Sequence, residues 1–136
     1  MKDRDTPSMT KRNKTQLLKQ CIKENWTEGA IAMIEQGANF EAYDYTALDH
    51  AIHKNNKVVI DAILSKKRKN AIPMYITVQV AYDENHELLR KLLKCGAVPP
   101  RERRSYRGDI IPFPPEAKTI ISRFNKLKKY NTTNES

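Results

Sequence analysis

Glycine is scarce in this chain, with four in 136 residues. That scarcity excludes the usual phosphate-gripping loops: neither a G-x-G-x-x-G nor a Walker-type loop is present, and no G-x-S-x-G elbow offers a nucleophilic serine. Cysteine stops at two, Cys21 and Cys95. They are too few for a disulfide framework, and without a C-x-x-C spacing they do not suggest zinc. Reduced, packed thiols in a cytosol-like compartment are the expectation. Long apolar runs are missing as well. The longest, Ala30 to Ile34, is far shorter than the roughly 20 residues a membrane helix needs, so no membrane span is expected. The opening MKDRDTPSMTKRNK has no apolar segment behind its charges and does not read as a secretory signal, which makes a cytoplasmic location the expectation.

Charge is plentiful but unevenly placed. The formal net charge is +9, yet residues 25–100 carry nine basic and nine acidic side chains. The excess lies in the flanks: seven Lys/Arg against three acids in residues 1–24, and nine against four in residues 101–136. Residues 24–53 hold six acids and no Lys or Arg. Only 39% of the chain is hydrophobic, too little for a thick core, which favours an elongated arrangement in which each part buries one face.

A shift of thirty residues brings the chain into register with itself. Leu18 falls on Leu48 and Val78, Cys21 on Ala51 and Ala81, Asn25 on Asn55 and Asn85, and Met33 on Ile63 and Leu93. Each copy reads as a short helix with small or apolar residues three apart, then an asparagine suited to a left-handed helix end, then a second amphipathic helix. Gly37-Ala38 and Gly96-Ala97 follow as turns that accept positive φ. The segment IPMYITVQVAY (72–82) is rich in β-branched residues; the register nevertheless places a helix there.

The stretch Gly37-Ala38-Asn39-Phe40-Glu41, then Thr46-Ala47-Leu48-Asp49-His50-Ala51-Ile52, then Val58-Val59-Ile60 and Ile63-Leu64 resembles the ankyrin repeat, and ENHELLRKLLKCGA (84–97) resembles its second helix and turn. The resemblance covers about residues 14–100. It implies an all-α, ankyrin-type solenoid of stacked helix-turn-helix pairs with short fingers. Ala47 and Asp49 depart from the family's proline and histidine, so Asp49 must make the tie that this histidine makes between repeats differently or not at all. Thr46 is expected to cap the next helix through its side-chain oxygen, Gly37 to close the preceding pair, and the six residues from Phe40 to Tyr45 to form a shortened hairpin finger.

The chain is therefore read as a flexible basic segment (1–13), three ankyrin-like repeats (14–100), a Pro/Arg-rich extended linker (101–114), a C-terminal amphipathic capping helix (115–130) and a disordered tail (131–136). Pro115 suits a first helical position, and Ala117, Ile120, Ile121, Phe124 and Leu127 share one face.

The resemblance implies that fingers and first helices form a concave binding surface. Glu41, Tyr43, Asp44 and Tyr45 of the finger, with Asp49, His50, His53, Gln79 and Tyr82, are the candidate partner-binding residues, Phe40 being assigned to packing. Tyrosine brings large contact area at low entropic cost. Because this region lacks basic residues, a basic or mixed polar partner segment is expected. His50 and His53 lack a third ligand in sequence reach, so neither metal nor cofactor is expected. Lys66, Lys67, Arg68 and Lys69 form a basic block, as do Arg101, Arg103 and Arg104; both are candidates for anion contact or nuclear import, against the simpler reading of solvated loops. No catalytic arrangement emerges. The expectation is a monomeric, non-enzymatic protein–protein interaction adaptor. By family analogy it would be an effector acting in a host cell's cytoplasm or nucleus, as small ankyrin-like proteins of intracellular bacteria and large viruses do. Nucleic-acid or anionic-surface binding through the basic flanks and Lys66–Lys69 is the alternative.

Overall fold

The computed structural model describes residues 10–135. They are mostly helical: α1 Lys11–Lys23, α2 Thr27–Glu35, α3 Ala42–His53, α4 Lys57–Ser65, α5 Met74–Tyr82, α6 His86–Lys94 and α7 Pro115–Glu135. One short antiparallel ladder, β1 Arg103–Arg104 against β2 Ile110–Ile111, is present among the described residues. The chain divides into two compact units, Met1–Asn70 and Ala71–Ser136.

Three helix pairs share one connection. After α1, Asn25 turns left-handed (φ 56°); its N–H reaches the Ile22 carbonyl at 2.9 Å and the Trp26 N–H reaches Cys21 at 2.8 Å. After α3, Asn55 (φ 55°) bonds Ile52 at 2.9 Å and the Asn56 N–H bonds Ala51 at 3.0 Å. This is the Schellman arrangement, which satisfies carbonyls that a helix end leaves open. After α5 the left-handed residue is Glu84 (φ 62°), one position earlier than the thirty-residue register placed it. Asn85 is thereby released to act as a cap. Its Oδ1 accepts the Leu88 N–H at 3.4 Å at the start of α6, as Asn56 Oδ1 caps α4 by accepting the Val59 N–H at 3.2 Å. The spacing of the left-handed residues is thus thirty, then twenty-nine.

In the first unit α1 packs on α2 and α3, and α4 packs on α2 and α3. Leu18, Ile22, Ala30, Leu48, Ala51, Val59 and Ile63 are buried there. Polar ties also join the two pairs. Asn56 Nδ2 donates to Asn25 Oδ1 at 3.0 Å and to Thr27 Oγ1 at 2.9 Å, while the Asn39 N–H donates to Thr15 Oγ1 at 3.0 Å. Asp49 takes no part in this; its partner is His53. Gly29, inside α2, lets the Trp26 ring lie against the helix: a Cβ there would sit 2.5 Å from Trp26 Cε3. Helix α2 closes on Gly37 (φ 92°). Helix α4 lacks such a glycine and runs straight into extended backbone at Lys66.

In the second unit, residues 74–82 are helical despite their β-branched content. Ile76, Val78, Val80 and Ala81 are buried, and Thr77 Oγ1 donates to the Val98 carbonyl at 2.7 Å, so packing overrides local propensity. Helix α6 packs on α5 and α7. Ala117, Ile120 and Ile121 of α7 are buried, whereas Leu127 is 63% exposed.

Three boundaries differ from those read in the sequence. Helix α1 begins at Lys11, inside the segment expected to be flexible, and residues 1–9 lie outside the described residues. The expected extended linker contains the β1–β2 hairpin, closed by a turn at Ser105–Gly108. Helix α7 continues to Glu135, through most of the expected disordered tail; Ser136 lies outside the described residues.

Candidate functional site

The aromatic finger is a left-handed turn rather than a hairpin. Tyr43, Asp44 and Tyr45 have φ of 54°, 57° and 66° in succession. Such backbone costs about 1–2 kcal/mol per non-glycine residue. The turn sends the two tyrosines to opposite environments. Tyr43 is 63% exposed, and the Lys19 ammonium sits 4.6 Å from its ring centroid. Tyr45 is 1% exposed, tilts against the buried Phe40 with centroids 6.4 Å apart, and donates its phenolic hydrogen to the Asn70 carbonyl. Burial, and then the nearby Glu41 carboxylate against the opposing pull of Arg68, push the Tyr45 phenol up to about 12. Tyr45 is therefore a core residue, contrary to the sequence reading. The helical period could not have revealed this, because left-handed backbone, not the α-helical repeat, turns the Tyr45 ring inward. Thr46 also differs. Its hydroxyl donates to the Tyr43 carbonyl and so braces the left-handed turn; it does not cap the helix.

Glu41 is occupied too. Its Oε2 accepts the Lys69 N–H at 2.8 Å, and its Oε1 accepts the Asn70 N–H at 3.0 Å and Asn70 Nδ2 at 2.9 Å. Burial works against ionisation here, but these N–H donors and the Lys69 charge outweigh it and hold the carboxyl below its ordinary range. Glu41 anchors the Lys66–Asn70 loop and leaves the proposed docking set.

Asp49, His50 and His53 stand together on α3. His53 Nδ1 lies 3.4 Å from Asp49 Oδ1 and 2.8 Å from the Asp49 carbonyl. His50 Nδ1 is buried with no hydrogen-bond partner. Burial first, then Lys23, Lys19 and His53 lower the His50 pKa, against the opposing pull of Asp49. Lys19 and Lys23 belong to α1. The face is therefore mixed in charge and not acidic as the sequence window suggested, because that window cannot see the neighbouring helix. Asp44 is exposed at its edge. Among the described residues no group of three or more His, Cys, Asp or Glu side chains converges as a metal site would require.

Gln79 and Tyr82 belong to the second unit, and the hairpin engages both. Gln79 Oε1 accepts from Arg103 Nη2 at 2.9 Å, and the Tyr82 hydroxyl accepts the Arg103 N–H at 2.7 Å while donating to the Ile111 carbonyl. The Arg103 guanidinium covers the Tyr82 ring at 4.8 Å. Neither residue is a free docking position, and Arg103 is not a free anion ligand.

The remaining basic candidates are scattered. Lys66 pairs with Glu35 at 3.5 Å. Arg68 Nη1 closes its own loop on the Leu64 carbonyl at 2.9 Å. Lys66, Lys67 and Lys69 line a hollow of about 420 Å³ with Asn39 and Asn70. Arg101 lines another, of about 580 Å³, with Lys118 and Lys126, and Arg104 Nη1 reaches the Gly108 carbonyl at 2.9 Å.

No protein-family model, curated protein or solved structure matches the chain. Among the described residues no helix is long and apolar enough to cross a membrane.

Proposed function

We propose that this protein is a non-enzymatic interaction module of ankyrin-like helical-repeat type, which docks another protein across the face that α1 and α3 share. The observation that carries this reading is Tyr43: a large ring held 63% exposed by a left-handed turn, with Lys19 of the preceding helix pair over it. Tyrosine is among the residue types enriched at the hot spots of protein interfaces. The recurrence of one Schellman turn at Asn25, Asn55 and Glu84 supports the helical-repeat part of the reading. The partner segment carries both signs of charge, an acid to meet Lys19 and Lys23 and a base to meet Asp49.

The test is a photo-crosslinking residue placed at position 43 to capture the partner, followed by calorimetry with the purified pair. Tyr43→Ala should weaken binding about 5- to 30-fold, or about 1–2 kcal/mol, with unchanged helicity. Lys57→Ala, on α4, should leave affinity as it is. A partner whose affinity ignores both Tyr43→Ala and Asp49→Ala rules this face out.

A further inference from the structure

The β1–β2 hairpin holds a second exposed aromatic, and its surroundings differ from those of Tyr43. Tyr106 is 94% exposed at the hairpin tip. The tip is not loose. Ser105 Oγ accepts the N–H groups of Arg107 at 3.3 Å and Asp109 at 3.2 Å, the Ser105 N–H bonds the Asp109 carbonyl at 2.8 Å, and the Gly108 N–H returns to the Ser105 carbonyl at 2.8 Å. Gly108 has φ 90°, which a larger residue resists. The base is fastened by Tyr82 to both strands, and Tyr82 in turn lies 4.8 Å from the buried Phe113 ring. These bonds fix the backbone that carries Tyr106, and Arg107 Nε donates to the Tyr106 hydroxyl at 3.3 Å.

We propose that this tip is a contact site for single-stranded nucleic acid, with Tyr106 stacking on a base and Arg104 and Arg107 holding phosphates. Aromatic rings flanked by arginines are the common means of gripping an unpaired strand, because every base offers a flat face and every linkage a negative charge. The Arg107 guanidinium sits 5.7 Å from the Tyr106 centroid, on one side of the ring, which leaves the opposite face for a base. Arg104 uses one donor on Gly108 and keeps the rest of its fork. Glu102, an acid of this segment, is already committed: it accepts the Phe113 N–H at 2.8 Å and lies 3.8 Å from Lys118. Arg101 and Lys126, together with the Glu102–Lys118 pair, line a hollow of about 580 Å³ at the hairpin base, where two cations unpaired among the described residues can meet further phosphates of the strand. A duplex keeps its bases stacked inside and gives Tyr106 nothing to stack on. An acidic peptide would satisfy the arginines but not the ring.

Fluorescence anisotropy of a labelled oligouridine, titrated with the full chain between about 50 and about 200 mM salt, tests this. Tyr106→Ala should weaken binding at least about 5-fold with the salt slope unchanged, whereas Tyr106→Phe, which keeps the ring and loses only the hydroxyl that accepts the Arg107 Nε–H, should keep most of the affinity. Arg104→Gln with Arg107→Gln should flatten the slope by about 1.4, about 0.7 for each phosphate no longer neutralised. Equal affinity of Tyr106→Ala and wild type at every salt concentration would mean generic attraction to a basic chain and would overturn the proposal. So would an absence of binding, or tighter binding to a duplex of the same length or to a polyglutamate peptide. The Tyr106 variants decide the matter even if the double arginine variant fails to fold.

Discussion

The side-chain amide of Asn56 donates to Asn25 Oδ1 at 3.0 Å, across a separation of 31 residues, and so ties the turn of one helix pair to the turn of the next. The same amide also donates to Thr27 and its oxygen caps α4, which makes one half-buried asparagine responsible for three bonds. Asn56→Ala removes the cap and both bridges and should lower unfolding free energy by about 2 kcal/mol in a urea titration. Asn56→Asp keeps an acceptor for the cap and should lose less.

Glu41→Gln tests the anchor of the Lys66–Asn70 loop. Glutamine keeps one acceptor oxygen for the donors of Lys69 and Asn70 where the carboxylate has two, so the loop should open more often. Trypsin should then cut at Lys66–Lys69 several-fold faster than in the wild type, with little change in helicity. Because the folded carboxyl titrates below its unfolded value, its stabilisation is complete above the ordinary carboxyl pKa and is lost as pH falls through the lowered one. The glutamine variant should lack this acid dependence.

His50 should act in a higher window. Its imidazole resists protonation in the folded state, so the unfolded chain binds the proton first as pH falls below the ordinary histidine value of 6.5. Stability should decline as pH falls below that ordinary value and level off once the folded imidazole also titrates. His50→Gln should flatten that segment of a pH series of thermal melts.

Tyr45→Phe separates the buried ring from its hydroxyl. Loss of the bond to the Asn70 carbonyl should cost about 1 kcal/mol, whereas Tyr45→Ala, which empties a 1%-exposed site, should cost about 3–5 kcal/mol by chemical denaturation. In alkaline difference spectra the Tyr45 phenol should remain protonated until about pH 12 unless the chain unfolds first, and Tyr45→Phe should abolish that step.

The helical pairs were legible in the sequence because their signals are local. Leu18, Leu48 and Val78 recur at a fixed spacing, and all three are buried. Even the ambiguous 72–82 segment is helical from Met74 on, as the repeat required, although its closing turn comes one residue early. What the sequence concealed depends on which neighbour a side chain meets. Lys19 and Lys23 are far from Asp49 along the chain but belong to the same surface, so counting charges in a window misjudged its sign. Tyr43 and Tyr45 differ in nothing that composition records; a run of three left-handed residues decides which one faces water. Gln79 and Tyr82 looked open because two-residue strands leave too faint a pattern to reveal the hairpin that engages them.

Trp26, the one tryptophan of the chain, rests against Gly29 in the first unit. Its intrinsic emission consequently reports on the contact between that ring and helix α2. A denaturation curve followed by that signal can look like a single clean transition while other helices melt unseen. Far-ultraviolet dichroism, which sums over every helix, is the probe whose disagreement with it would reveal more than one transition.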